Sequence, residues 1–329
     1  MQIRARAVAL WGAVTVAAAL VLPAPALSQP AAAPGVAAPP KLPPDAPLPD
    51  ALKPDTYRLW PGRAPGATSD AADETPTVTV FRPFRGRANG TAVVIAPGGA
   101  YIALSEPTEG VEPAAWFASR GVTAFVLTYR VGDKAPLPTP LLDGARAIRF
   151  VRAHAADFGI DPARIGMMGF SAGGHMAAVT GTLGNARVQG PVDAVDAVSS
   201  RPDFLVLGYP WLEATQAGNG GLVYCELMTR RNQPCSARDL ASLLPTTAVR
   251  PDTPPTFIFQ TTDDTVVPVG GVVRFYQALV AQKVPAELHV FETGAHGAGL
   301  GGASPALSRW PELLDGWLRQ RGLLPAPRR

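Results

Sequence analysis

Ile165-Gly166-Met167-Met168-Gly169-Phe170-Ser171-Ala172-Gly173-Gly174-His175 reads as a short apolar strand, a glycine-flanked serine and the opening of a helix made of small residues. Within it, Gly169-Phe170-Ser171-Ala172-Gly173 fits the pattern G-x-S-x-G. In a chain with 33 glycines the pattern alone is weak; its position between a strand and a helix makes it strong. A serine at such a turn takes a strained φ/ψ, and side chains at the flanking positions would strike the neighbouring strand or helix. The amide of Ala172, at a helix N-terminus, faces the place where negative charge would develop on a reacting carbonyl. Ser171 is therefore a candidate nucleophile.

Outward from this turn the chain alternates. Residues 77–81 alternate in polarity and are rich in β-branched side chains. Residues 91–96 form an apolar run ending in Pro97-Gly98-Gly99, the look of a buried parallel strand entering a tight turn. Residues 122–129, 165–169, 204–209, 256–260 and 287–291 read as further strands. Residues 113–119, 141–154, 172–183, 272–281 and 310–319 read as helices, with Leu142, Ala145, Ile148, Phe150 and Val151 at the spacing of one buried face. This alternation predicts an α/β fold with a mostly parallel central sheet and helices on both faces. Its site should lie beyond the C-terminal strand ends. Residues 211–255 break the alternation and are expected to be a lid-like insertion, with a helix over 237–244.

A serine hydroxyl needs a base. The chain has four histidines. His154 falls on a helix that precedes the serine-bearing strand, at the wrong end of the sheet, His175 is one helical turn past the serine, and His289 lies inside a strand. His296, in Gly294-Ala295-His296-Gly297, sits on a glycine-flanked loop just after the last strand and is the expected base. The third member should be a carboxylate between Ser and His in chain order. Thr262-Asp263-Asp264-Thr265-Val266 offers two; Asp263, directly off its strand, is preferred, and Asp264 is the alternative, with turn capping as its other reading. The amides of Gly99 and Ala100 are expected to complete an oxyanion hole with Ala172. Tyr101 and Trp211 are candidate pocket residues, with core or lid packing the favoured reading of Trp211. Glu106 and Glu109, just past the glycine turn, would contact substrate or cap a helix.

The N-terminus carries an address. A short basic start, with Arg4 and Arg6, precedes an apolar run over 7–22 and small residues at Ala24, Ala26 and Ser28. This is the pattern of a secretory signal peptide over 1–28, implying a secreted or periplasmic protein with no membrane span once the peptide is cleaved. Residues 29–56 are an Ala/Pro-rich linker; the folded domain is expected over 57–323, with a tail over 324–329. The net charge is +3, from 29 Lys+Arg and 26 Asp+Glu, and no block of like charge appears. That excludes a nucleic-acid partner. Cys225 and Cys235 are expected to form a disulfide in an exported protein. Two cysteines without further ligands give no metal site.

The combination resembles the esterase/lipase branch of α/β hydrolases, and within it bacterial proteins related to feruloyl and acetylxylan esterases. The matching stretches are 96–101, 128–130, 169–178, 201–204, 262–269 and 294–300. The D-x-x-V spacing from Asp263 belongs to the same resemblance. Pro97 stands where many such esterases have a His before the glycines, which points to the feruloyl/acetylxylan-like branch. The resemblance implies an α/β-hydrolase fold and Ser-His-Asp hydrolysis of carboxylic esters through an acyl-enzyme. The substrate would be a small or polysaccharide-linked ester, such as acetyl or feruloyl groups on plant polysaccharide, with no cofactor. The alternatives are a serine peptidase resembling the catalytic domain of prolyl oligopeptidases, and a non-catalytic binding module. Oligomeric state is not legible.

Overall fold

A computed structural model describes residues 55–183, 193–213, 243–302 and 304–326. The expected signal peptide, nearly all of the linker, the Cys225–Cys235 pair and most of the insertion lie outside these residues. Residues Ala51–Arg329 make up one unit of the chain.

This unit is built on an eight-stranded sheet. Its strands are β1 (Thr56–Arg58), β2 (Thr77–Phe81), β3 (Ala92–Ala96), β4 (Thr123–Thr128), β5 (Ile165–Phe170), β6 (Phe204–Gly208), β7 (Thr256–Thr261) and β8 (Ala286–Phe291). The order is β1-β2-β4-β3-β5-β6-β7-β8. β1 and β2 pair antiparallel, as do β2 and β4, and every other pairing is parallel. β3, β5, β6 and β7 are buried along their whole length. They therefore read as continuous apolar runs rather than as alternation, which is what a sheet covered on both faces demands.

Strand side chains alternate between two cores. Val94, Ile165, Met167, Leu205 and Ile258 pack with α2 (Thr139–Ala153), α4 (Ser171–Leu183) and α5 (Val269–Ala281). Val93, Ile95, Met168, Phe170, Val206 and Phe259 pack on the other face with α1 (Glu112–Ser119) and α6 (Trp310–Gln320). A four-residue helix α3 (Ala155–Phe158) follows α2. The alternating α/β architecture with helices on both faces is thus as expected. Leu324, assigned to the tail, is buried in the second core.

The parallel strands aim their C-terminal ends at one edge. The turn after β3, Ser171 after β5, Tyr209 after β6, the aspartates after β7 and the His296 loop after β8 all emerge there. The register Ala96↔Gly169 and Phe170↔Gly208 sets the turns after β3 and β6 beside the serine.

Candidate active site

Ser171 is the first residue of α4 and has φ +50°. The flanking glycines allow that bend because a Cβ at Gly173 would overlap the Ala96 carbonyl, and one at Gly169 would overlap the backbone of Gly173. The serine hydroxyl lies 2.9 Å from His296 Nε2. His296 Nδ1 lies 2.7 Å from Asp264 Oδ2. Asp264 has no exposed side-chain surface and His296 retains 18%. A carboxylate at this distance accepts a hydrogen bond from Nδ1–H, so Nε2 carries the free lone pair that faces the serine O–H.

The preferred acid is corrected by this geometry. Asp264, not Asp263, meets the imidazole. Asp264 Oδ1 accepts from the amides of Val266 and Val267 at 2.9 and 2.8 Å, so its own turn aims the other oxygen at His296. Asp263 points the other way, is exposed, and accepts from Gly294 N–H at 3.0 Å, pinning the start of the histidine loop. Proximity to the strand end did not reveal direction. The signal that could have done so is the Asx-turn pattern, an Asp with amides two and three residues on.

Gly99, Ala100 and Tyr101 follow one another at φ +127°, +55° and +59°. Gly98 N–H is committed to the Glu109 carboxylate at 2.7 Å. The amides of Gly99 and Ala100 have no acceptor among the described residues, and Ala172 opens a helix whose first amides have no intrahelical partner. The turn that carries the first two lies beside the serine, a Cβ at Gly98 falling 3.0 Å from Ser171 Cβ.

Of the two pocket candidates, Tyr101 departs from its expectation and Trp211 takes its favoured packing role. Tyr101 is wholly buried, its hydroxyl 2.7 Å from His175 Nδ1, and it offers no surface to a ligand. Trp211 is 9% exposed, donates its amide to the Ser171 carbonyl at 3.1 Å, and belongs to the first core, which is its packing reading. His175 Nε2 lies 2.7 Å from the Leu243 carbonyl. That oxygen only accepts, so the proton sits on Nε2 and Tyr101 O–H donates to Nδ1. Burial lowers the His175 pKa to about 4, keeping it neutral. His154 and His289 pair with Asp157 and Glu287, away from the serine.

Sequence reasoning left Glu109 between two roles, and neither is what the structure shows. It is 2% exposed, accepts from Gly98 N–H through Oε2 and from Tyr209 O–H at 2.7 Å through Oε1. Tyr209, read in the sequence only as the end of a strand, also accepts from Gly299 N–H at 2.9 Å and stands edge-on to His296 with ring centroids 5.0 Å apart.

Comparison with known proteins accords with this geometry. The BD-FAE family model matches residues 78–279, more than half of the chain. An endo-1,4-β-xylanase B of Butyrivibrio fibrisolvens is 34% identical over 62% of this chain and 32% of its own length. An acetylxylan esterase of Xylanibacter ruminicola is 29% identical over 73% of this chain and 47% of its own. The chain thus spans about a third of the first relative's length and just under half of the second's. Among solved structures, an acetyl ester-xyloside bifunctional hydrolase from Caldicellulosiruptor lactoaceticus superposes with TM-score 0.74 at 32% identity, covering 83% of this chain and 98% of that one. Thermogutta terrifontis esterase 2, phosphonylated by sarin, superposes with TM-score 0.70 at 26% identity, covering 85% and 99%.

Proposed function

The chain belongs to the BD-FAE family, and from that premise we propose that it is a secreted serine hydrolase of carboxylic esters, acting on acetyl groups carried by xylan-type polysaccharide. The observation that carries the reading is the continuous line Ser171–His296–Asp264, with hydrogen-bond distances of 2.9 and 2.7 Å. The substrate class follows from the xylan-directed relatives. Export follows from the N-terminal pattern of the sequence.

The mechanism is two acyl transfers. Ser171 Oγ attacks the ester carbonyl while His296 Nε2 takes its proton. Asp264 fixes the imidazole tautomer and stabilises the cation without itself taking the proton. The tetrahedral oxyanion accepts from the amides of Gly99, Ala100 and Ala172, which are in place before charge develops and need no reorganisation. The alcohol leaves with the proton from His296. Water then repeats the sequence on the acyl-serine, releasing acetate and restoring the hydroxyl.

An ester panel tests this: 4-nitrophenyl esters of increasing acyl length, acetylated and feruloylated xylan, and matched amides, each with the wild type and Ser171→Ala. The expected result is hydrolysis led by acetyl esters and abolished in the variant. Amides cleaved faster than esters would move the protein to the peptidase reading, and wild-type turnover in Ser171→Ala would end the serine mechanism.

A further inference from the structure

We infer that Glu109 is a positioning residue for this reaction: through Gly98 and Tyr209 it locks the oxyanion turn to the histidine loop. The inference rests on the assignment of His296 as base.

One carboxylate joins two separate parts of the site. Glu109 Oε2 takes the Gly98 amide, one residue before the Gly99 and Ala100 donors. Its Oε1 takes the Tyr209 hydroxyl. Tyr209 in turn accepts from Gly299 N–H, three residues past His296. Trp310 Nε1 closes the loop from the far side by donating to the Gly299 carbonyl at 3.1 Å, while its ring stacks on Phe259 at 4.2 Å. Every link is buried, where hydrogen bonds to a charged acceptor are strong and a lost partner is costly.

The packing leaves room for nothing else. A Cβ at Gly98 would lie 2.6 Å from Glu109 Oε2 and 3.0 Å from Ser171 Cβ, so glycine lets the carboxylate and the nucleophile share one small volume. The segment carrying Glu109 is a π-helical turn, Pro107–Val111, running straight into α1. Such one-turn irregularities re-aim a side chain that regular helix would place elsewhere.

Few charges compete with this pairing. On its own element, Glu106 accepts from Thr128 Oγ1 and Glu112 is exposed. From β4, Tyr129 is buried and gives its hydroxyl to the Pro97 carbonyl. From the β6 end comes Tyr209, and from the β8 loop comes His296. His296 itself faces Asp264, Ser171 and the Tyr209 ring. Burial pushes the Glu109 carboxyl up, while the Tyr209 and Gly98 hydrogen bonds and the charge of His296 pull it back.

Glu109→Gln keeps the shape, removes the charge and turns one of the two accepting oxygens into a donor, so it breaks one side of the link between Gly98 and Tyr209. With 4-nitrophenyl acetate as the probe and a thermal melt alongside, kcat should fall about tenfold, the effect of one charge-assisted contact, with KM little changed. A purely structural Glu109 would lower the melting temperature and leave the kcat of the folded enzyme in place. A folded Glu109→Gln enzyme with wild-type kcat, or one whose loss falls on KM alone, overturns the inference. Should that variant not fold, Tyr209→Phe is read instead. It removes the link from Glu109 to Gly299 and the histidine loop and should lower kcat by less, again with KM little changed; a wild-type kcat there overturns the inference equally. Ser171→Ala in the same assay separates the two claims. If it keeps wild-type turnover, the serine mechanism fails; if it is inactive while Glu109→Gln behaves as wild type, only the role of Glu109 falls.

Discussion

Asp263 and Asp264 are chemically identical neighbours, and the turn between β7 and α5 gives them opposite directions. Asp264 is held by two amides of its own turn and aims at His296; Asp263 is exposed and secures Gly294. Mutation should separate them sharply. Asp264→Asn leaves the shape but presents the wrong hydrogen-bond partner to Nδ1, and kcat should drop by roughly three to four orders of magnitude. Asp263→Asn removes only a loop anchor, and kcat/KM should stay within about tenfold of the wild type. Steady-state kinetics on an acetyl ester checks both, and the reverse ranking would return the role to Asp263. Ser171 and His296 were legible because each carries its backbone context in the sequence, a strand–helix turn and a glycine loop. The choice between adjacent acids was not, since it depends on which side of a turn each carboxylate leaves. Glu109 was hidden for another reason: its partners, Gly98, Tyr209 and through it Gly299, come from three separate strand ends and meet only in space.

Elements with buried, one-phase patterns were the easiest to read. β3, β5, β6 and β7 appear within a residue or two of their expected limits because full burial leaves an unbroken apolar run. β1 escaped detection: three residues of Thr-Tyr-Arg at a sheet edge carry no periodicity. The antiparallel pairing of β1 and β2 escaped with it. Helix α4 shows how an element is tied down beyond its packing. His175, one turn past the nucleophile, bridges the Tyr101 hydroxyl after β3 and the Leu243 carbonyl before the next 3-10 turn. Its pKa is lowered by burial from 6.5 to about 4, so between these values the unfolded chain binds a proton that the folded one does not. Stability from this group is therefore complete above pH 6.5 and is lost as pH falls towards 4, by about 3 kcal/mol in all. The raised Glu109 works in the opposite direction, favouring the fold slightly at lower pH. Denaturant titrations from pH 7.5 to 4 should show a shallower loss in His175→Gln than in the wild type. Equal slopes would mean that His175 charges without cost.

At the scale of the molecule, one covered sheet lines up five strand ends, and the chemistry sits where their loops converge. The fold class followed from alternation alone, because parallel strands need crossovers and crossovers here are helical. No helix among the described residues is long and apolar enough to cross a membrane. The insertion, the linker and the cysteine pair fall outside the described residues, so the acyl preference rests on the relatives and the nucleophile on its geometry. The most direct measurement addresses that nucleophile. The purified protein is treated with a fluorophosphonate and digested, and the adduct is mapped by mass spectrometry. A single adduct is expected on the peptide carrying Ser171, with loss of esterase activity in step with labelling and no adduct in Ser171→Ala. An active protein that stays unlabelled, or one inactivated by an adduct at any other residue, would contradict the assignment.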